Sequence, residues 1–467
     1  MKKNNLALKS GIWYVIGNVS LKGIAFLTLP IFVRLMTTEE YGLFNIYIAY
    51  ETVISVILGL GLWTSIKNAY IDYNKDFYHY VSSIANFILI FGSVILFIVT
   101  FMGSHLTPFL GFGKNIIILL VLQSVCSALV QVFNSAYFME YSYKKFLLMT
   151  LINNVLNIAI SLILIMNMKN AFYGRTVGNA AAMIFVAVLM YLLWIKRYGQ
   201  SIKKQYFNYS LLIGLPIIVH SLSQTMLSQF DRIMIQKIED NASAGVYSFV
   251  YTMSSILLIV QQGIDNAWNP WGFKKLSEGK YSEIEMNSRN YILFFSFCTL
   301  GFMTIMPDVI RVFGTAEYYK GIALIIPLSM SVYFIFLYSL PVMIEYFFKK
   351  TRYIAAGTIG ASIINIILNF IFIPRFGYFA AAFTTLFSYI LLFICHWIIS
   401  KRLLQDDVFS LKVILSYSIG MSIISFIYIL CCNQFMYIRY VILVLVSIVI
   451  ILKKRSEISE ILIRTFK

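Results

Sequence analysis

Lys22 stands midway along a run of apolar residues, and Glu51 stands midway along the next. A lysine so placed suits an anionic ligand such as a phosphate, because its ammonium is a compact point charge. A carboxylate so placed suits a proton or a sodium ion. Charge in hydrocarbon is costly unless it is paired or wet, so the two residues also suit one another as an ion pair. Substrate contact and ion pairing are both open for Lys22, and they are compatible. Asp265 and Glu345 are further carboxylates inside apolar runs, nearer the run ends. With Glu51 they form the set of candidate coupling groups.

Uncharged polar residues recur in the same runs at helical spacing. The sets are Asn18 with Lys22; Gln123, Ser127, Gln131 and Asn134; Asn153, Asn157 and Ser161; His220, Gln224, Ser228 and Asp231; Ser254, Gln261 and Asp265; and Ser362, Asn365 and Asn369. Each set falls on one helical face. Hydrogen bonding between packed helices and the lining of a cavity are equally open for the Ser and Asn residues. A shared hydrated cavity accounts better for the long Gln side chains and the charges. Lys22, Asn18, Gln123, Asn153, Asn157, Gln224, Asn365 and Asn369 are the candidate cavity residues. Asp231-Arg232 reads equally as a helix cap, a local pair or a functional pair, and His220 reads as a hydrogen-bonded bundle residue.

Catalytic chemistry has no such support. There is no phosphate-cradling glycine loop and no Asp-rich glycosyltransferase motif. The five cysteines fall mostly in apolar runs without metal spacing, and the four histidines are scattered. The chain is expected to be no enzyme, to hold no metal or cofactor, and to draw on an ion gradient, with H+ or Na+ as the coupling ion.

These side chains need helices in lipid to position them. Of 467 residues, 60% are hydrophobic and 12% charged, against about 45–50% and 25% in a soluble domain. A bilayer core takes roughly 20 apolar residues of helix. Runs meeting that length lie near 12–33, 42–66, 81–101, 115–138, 147–166, 172–195, 211–230, 243–266, 289–306, 322–347, 354–373, 378–400, 412–431 and 437–452. The first run lacks a small-residue cleavage site and reads as a retained helix. Lys and Arg alternate with these runs. Segments on the side of the N-terminus are rich, as in Lys196, Arg197, Lys203 and Lys204, or Lys274, Lys275, Lys280 and Arg289. Segments on the other side are poor, as at Arg34, Lys114 and Arg439. The positive-inside rule then places both termini in the cytoplasm. The net charge of +17 reflects topology and attraction to anionic membrane lipids, and nucleic acid is no expected partner.

Two halves echo one another. Asn153-x3-Asn157, Gly178-Asn-Ala-Ala-Ala and Lys196-Arg197 are matched by Asn365-x3-Asn369, Gly377-x2-Ala-Ala-Ala and Lys401-Arg402; Tyr41-Gly42-Leu-Phe is matched by Ala244-Gly245-Val-Tyr. The expected architecture is an all-α integral membrane protein. It has two six-helix lobes in parallel repeat (1–204 and 205–405) and two additional helices with a basic tail (406–467). Such repeats are a transporter signature.

Several stretches carry a family resemblance: Leu35-Met-Thr-Thr-Glu-Glu-Tyr-Gly-Leu-Phe, Gly214-Leu-Pro-Ile, Gln229-Phe-Asp-Arg-Ile-Met-Ile followed by Ala244-Gly-Val-Tyr-Ser, Asn266-Ala-Trp-Asn-Pro-Trp with Lys274-Lys-Leu, and Ile373-Pro-Arg-Phe-Gly-Tyr-Phe-Ala-Ala-Ala. Together they resemble the Wzx-type polysaccharide-biosynthesis flippases of the multidrug/oligosaccharidyl-lipid/polysaccharide exporter (MOP) superfamily. The resemblance implies two lobes around a V-shaped cavity that opens to alternate sides of a bacterial cytoplasmic membrane. It also implies an undecaprenyl-diphosphate-linked oligosaccharide as substrate, for O-antigen, capsule or exopolysaccharide. A downstream polymerase is an implied partner, and the chain is expected to act as a monomer. A lipid II flippase and a drug/cation antiporter of the same superfamily are the alternatives.

Overall fold

Lipid offers the backbone no hydrogen-bond partners, so each spanning segment must satisfy its own N–H and C=O groups. The computed structural model describes residues 17, 23–24, 26–404, 408–431 and 436–453, and these form α-helices joined by short turns, with no strand among them. In chain order they are α1 (Phe26–Leu35), α2 (Thr38–Leu58), the short α3 (Ile66–Asp72), α4 (Phe77–Leu110), α5 (Lys114–Met139), α6 (Tyr143–Asn167), α7 (Ala171–Tyr198), α8 (Lys204–Ile238), α9 (Asn241–Ser254), α10 (Ile256–Ser277), α11 (Tyr281–Phe313), α12 (Ile325–Phe347), α13 (Thr351–Phe376), α14 (Tyr378–Leu404), α15 (Leu411–Cys431) and α16 (Met436–Lys453). Among the described residues, 12 helical stretches are long and apolar enough to cross a membrane; Phe26–Leu35 and Tyr437–Val449 are shorter apolar helices. Each expected run overlaps helix among the described residues: the first does so over 26–33, the rest of it lying largely outside the described residues, the second outruns α2, which ends at Leu58, and the run near 243–266 is divided between α9 and α10. Several extend past their apolar run: α4, α8 and α11 hold 34, 35 and 33 residues. A helix continues beyond the hydrocarbon as long as its backbone bonds do, and hydropathy does not register that extension. Phe97, Phe101, Phe370 and Phe426 are exposed, as suits a surface that faces lipid.

Local chemistry sets the helix ends. Thr37 and Glu40 form a reciprocal capping box at the start of α2. The second carboxylate oxygen of Glu40 accepts the backbone N–H of Ala171 at 2.9 Å, so one side chain caps two helices. Glu239, ahead of α9, does the same for α14 through the N–H of Tyr378 at 3.0 Å. Burial raises the Glu239 carboxyl above its usual range, against the lowering effect of its hydrogen bonds to Ser243 and Tyr378. The two glutamates precede corresponding helices of the two halves.

By contacts, the described residues up to Ser248 together with Ala355–Ala381 form one compact unit; Phe249–Ile354 with the described residues from Ala382 onward form a second. Compactness follows packing, whereas boundaries at 204 and 405 follow sequence repetition, so the two divisions are independent.

In the first unit the echoed motifs meet. A Cβ on Gly42 would collide with the backbone carbonyl of Asn241, and one on Gly245 with the carbonyl of Thr38. The two glycines let α2 and α9 approach at backbone distance, as small residues do between membrane helices. Gly245→Val is expected to cost about 1–3 kcal/mol through overpacking, read as a lowered unfolding midpoint in detergent. Gly263, whose added Cβ would meet nothing within 4 Å, is the control, and Gly263→Ala should leave the midpoint unchanged or raise it. An unshifted midpoint in Gly245→Val would rule out the close contact.

Candidate functional site

The first unit holds three polar clusters. In one, α2 meets α5. Glu51 is 8% exposed, and its Oε1 accepts the Ser127 hydroxyl at 2.5 Å. One turn earlier, the Tyr47 hydroxyl donates to Gln123 Oε1 at 2.8 Å, and Gln123 Nε2 donates to Asn179 Oδ1 at 2.7 Å. Gln123 thus ties α2, α5 and α7 together. Gln123→Leu leaves the buried Tyr47 hydroxyl without its acceptor, at about 1–3 kcal/mol. Adding Tyr47→Phe should recover most of that loss in a thermal melt. A double variant no more stable than Gln123→Leu would contradict the bridge.

The second cluster joins α6 to α7. Arg175 Nη1 donates to Asn157 Oδ1 at 2.6 Å and to Ser161 Oγ at 2.8 Å. Its guanidinium also lies 3.8 Å from the Phe32 ring centroid and 4.6 Å from that of Phe44, within cation–π range. Asn153, one turn from Asn157, is half-buried, and its Oδ1 has no hydrogen-bond partner among the described residues.

The third cluster surrounds Asp231 on α8. Tyr247 donates to one carboxylate oxygen and Asn369 to the other, both at 2.6 Å; Asn369 Nδ2 also reaches Asn365 Oδ1 at 3.3 Å. Asn365 and Asn369 are fully buried. Carboxylate and amide oxygens are donors that hard cations prefer. Arg232, beside Asp231, donates to Gln229, while Gln224 is exposed on α8.

The second unit holds two acid sites, Asp265 half-buried and Glu345 fully buried. Asp265 accepts from Ser339 at 2.7 Å and from Gln261. Glu345 Oε1 lies 2.6 Å from His396 Nδ1.

The sequence-derived candidates thus fall into separate clusters, and Asn365 with Asn369 is a pair brought into direct contact. Asn18 and Lys22 lie outside the described residues. The sequence reading did not single out Arg175, His396, Asn179 or Tyr47. Arg175 lies in the first turns of the run near 172–195, on the helix that begins at Ala171, and the run as such does not say where its guanidinium points. A signal for His396 was present: an ionisable side chain inside an apolar run needs a partner, and the reading weighed His220 instead.

The family model described as polysaccharide biosynthesis protein matches residues 7–274 of the 467. The chain belongs to the polysaccharide biosynthesis protein family. The lipid II flippase MurJ in an inward closed conformation superposes with a TM-score of 0.74 at 16% identity, covering 96% of this chain and 100% of that one. An inward-facing multidrug resistance MATE family transporter of the MOP superfamily gives 0.66 at 14% identity, covering 83% and 96%. A MOP superfamily transporter from Pyrococcus furiosus gives 0.59 at 16%, covering 85% and 96%. At these identities the likeness is one of fold, and the fold is that of these transporters. An uncharacterized membrane protein of Haemophilus influenzae is 25% identical over 290 residues, which is 58% of this chain. The chain spans 66% of that relative's length.

Proposed function

We propose that this polysaccharide biosynthesis family member is a flippase for an undecaprenyl-diphosphate-linked oligosaccharide in a bacterial cytoplasmic membrane. The family match over residues 7–274 carries this reading. The transporter fold supports it, as do polar clusters buried within membrane-length helices. No bond is made or broken. The sugar and diphosphate cross along polar side chains, with Lys22 and Asn18 contacting the diphosphate and Gln123, Asn153, Asn157, Gln224, Asn365 and Asn369 supplying hydrogen bonds, while the prenyl tail stays in lipid. That route spares hydroxyls and phosphates an unpartnered passage through hydrocarbon.

Alternating access, coupled to H+ or Na+ at Glu51, Asp265 or Glu345, supplies direction. The chain acts as a monomer with both termini cytoplasmic, in repeats 1–204 and 205–405 followed by 406–467. It hands its product to a polysaccharide polymerase for O-antigen, capsule or exopolysaccharide.

The test is to delete the gene with the pathway's first glycosyltransferase repressed, restore synthesis, and profile membrane lipids by mass spectrometry. Accumulation of one undecaprenyl-diphosphate oligosaccharide, cleared by the wild-type gene, is the expected result. Accumulation of lipid II would move the protein to peptidoglycan precursors. An unchanged lipid profile would overturn the flippase reading in favour of a drug/cation antiporter.

A further inference from the structure

Glu345 follows the apolar stretch Leu340-Pro-Val-Met-Ile on α12, and His396 lies in Leu391-Leu-Phe-Ile-Cys-His-Trp-Ile-Ile on α14. Although 51 residues apart in sequence, Oε1 of Glu345 and Nδ1 of His396 are 2.6 Å apart. Their side chains are 0% and 1% exposed. The remaining heteroatom of each group, Oε2 and Nε2, is buried with no hydrogen-bond partner among the described residues. Such orphaned atoms each forfeit the hydrogen bonds water would give them, and a native structure that retains two of them side by side calls for a reason.

The groups that surround the pair are aromatic, thiol and acidic. The Tyr338 ring lies against the imidazole, with centroids 5.8 Å apart. Tyr346 and Cys395 stand within electrostatic range of Glu345. From α10, Asp265 approaches through Ser339, the neighbour of Tyr338. Among the described residues, the side chain within ion-pair distance of Glu345 is His396.

Charge counting then gives the pair a task. With a neutral imidazole and an ionised carboxylate, it carries one net negative charge where desolvation makes such charge costly. One further proton makes it neutral, as carboxylate with imidazolium or as carboxylic acid with imidazole. Oε2 and Nε2, the two unpartnered atoms, are where a proton can reach or leave the pair when water gains access. A sodium ion fits less well, since imidazole is a poor ligand for a hard cation and the two groups already touch.

We propose that Glu345 and His396 together form a reversible binding site for one proton, loaded and unloaded as the transporter cycles. What that proton drives rests on the flippase reading; the binding itself does not. In the proposed topology both residues lie toward the cytoplasmic ends of their helices, so the proton exchanges with the cytoplasm.

The experiment is a proton count on the full-length protein in phosphatidylethanolamine–phosphatidylglycerol bilayers, stepped from about pH 8 to about pH 5 with an indicator dye. Glu345→Gln and His396→Gln should each take up about one proton fewer per chain than wild type. The double variant should also take up about one fewer, because the two groups titrate as a unit. Variants that take up as many protons as wild type would reduce the pair to a structural clasp and overturn the proposal. If the single variants aggregate, infrared spectroscopy of a chain whose other histidines, His79, His105 and His220, are replaced by glutamine reads the His396 ring directly. Appearance of either an imidazolium band or a buried carboxylic-acid band over that pH step supports the site, and a pair that shows neither overturns it. A one-proton deficit in the variants together with an unchanged lipid profile in the deletion strain keeps the site and removes the flippase reading. The reverse combination keeps the flippase and removes the site.

Discussion

Arg439→Ala is expected to destabilise the protein by about 3 kcal/mol, the lower end of the range for breaking a buried ion pair. Arg439 is fully buried on α16. Its Nη2 donates to both oxygens of Asp308 on α11 at 3.1 Å, and its Nη1 to the carbonyl of Thr304 at 3.2 Å. The Tyr428 hydroxyl of α15 donates to the Arg439 carbonyl at 2.9 Å and meets Thr304 Oγ1 at 2.8 Å. Tyr440 adds a bond to Asp308 at 2.7 Å. This cluster fastens the two helices beyond the sixth of the second half to α11. The lower end of the range applies because Asp308 keeps Arg311, at 2.9 Å, and is a quarter exposed. Thermal unfolding in detergent measures the loss, and proteolysis near residues 436–453 should accelerate. Arg439→Met combined with Asp308→Leu should recover much of it, since apolar replacement of a whole buried pair is often near neutral. A melt of Arg439→Ala that matches wild type would show that the cluster holds nothing together.

Lys22→Ala carries the largest expected effect on transport. Truncating one partner of a buried charged contact costs about 2–5 kcal/mol. At about 1.4 kcal/mol per tenfold, that is roughly a 30-fold to few-thousand-fold loss of flipping. The assay uses the lipid that accumulates in the deletion strain, reconstituted with purified protein in vesicles. Glu51→Gln separates the two roles left open for Lys22. If the lysine contacts diphosphate, Glu51→Gln does not restore flipping to Lys22→Ala. If it chiefly neutralises Glu51, the double variant regains stability and activity, and the cycle shows coupling. Flipping by Lys22→Ala within about twofold of wild type would remove Lys22 from the substrate path.

Much of the fold was legible in the sequence. Among the described residues each expected span meets a helix, because the demand that lipid makes on a backbone is local and acts along about 20 consecutive residues. The ends were less legible. α4 starts four residues before its apolar run and ends nine after it, since backbone bonding carries a helix on through polar residues at which an apolar run stops. The glycine motifs at Gly42 and Gly245 read as an echo between halves, yet they are also the two sides of one contact.

The sequence by itself determined that this is a polytopic helical membrane protein, where its helices lie, and which faces carry polar groups. Those properties follow from composition, period and charge along the chain. The tertiary structure decided the partners: Asn157 with Arg175, Gln123 with Tyr47 and Asn179, Asp231 with Asn369, Glu345 with His396, and Arg439 with Asp308. Most of these pairs lie 51 to 138 residues apart. A buried polar atom must find a partner, but helical period says only that it faces inward. Which helix it faces is settled by packing, through backbone approaches such as that of α2 and α9 at Gly42 and Gly245.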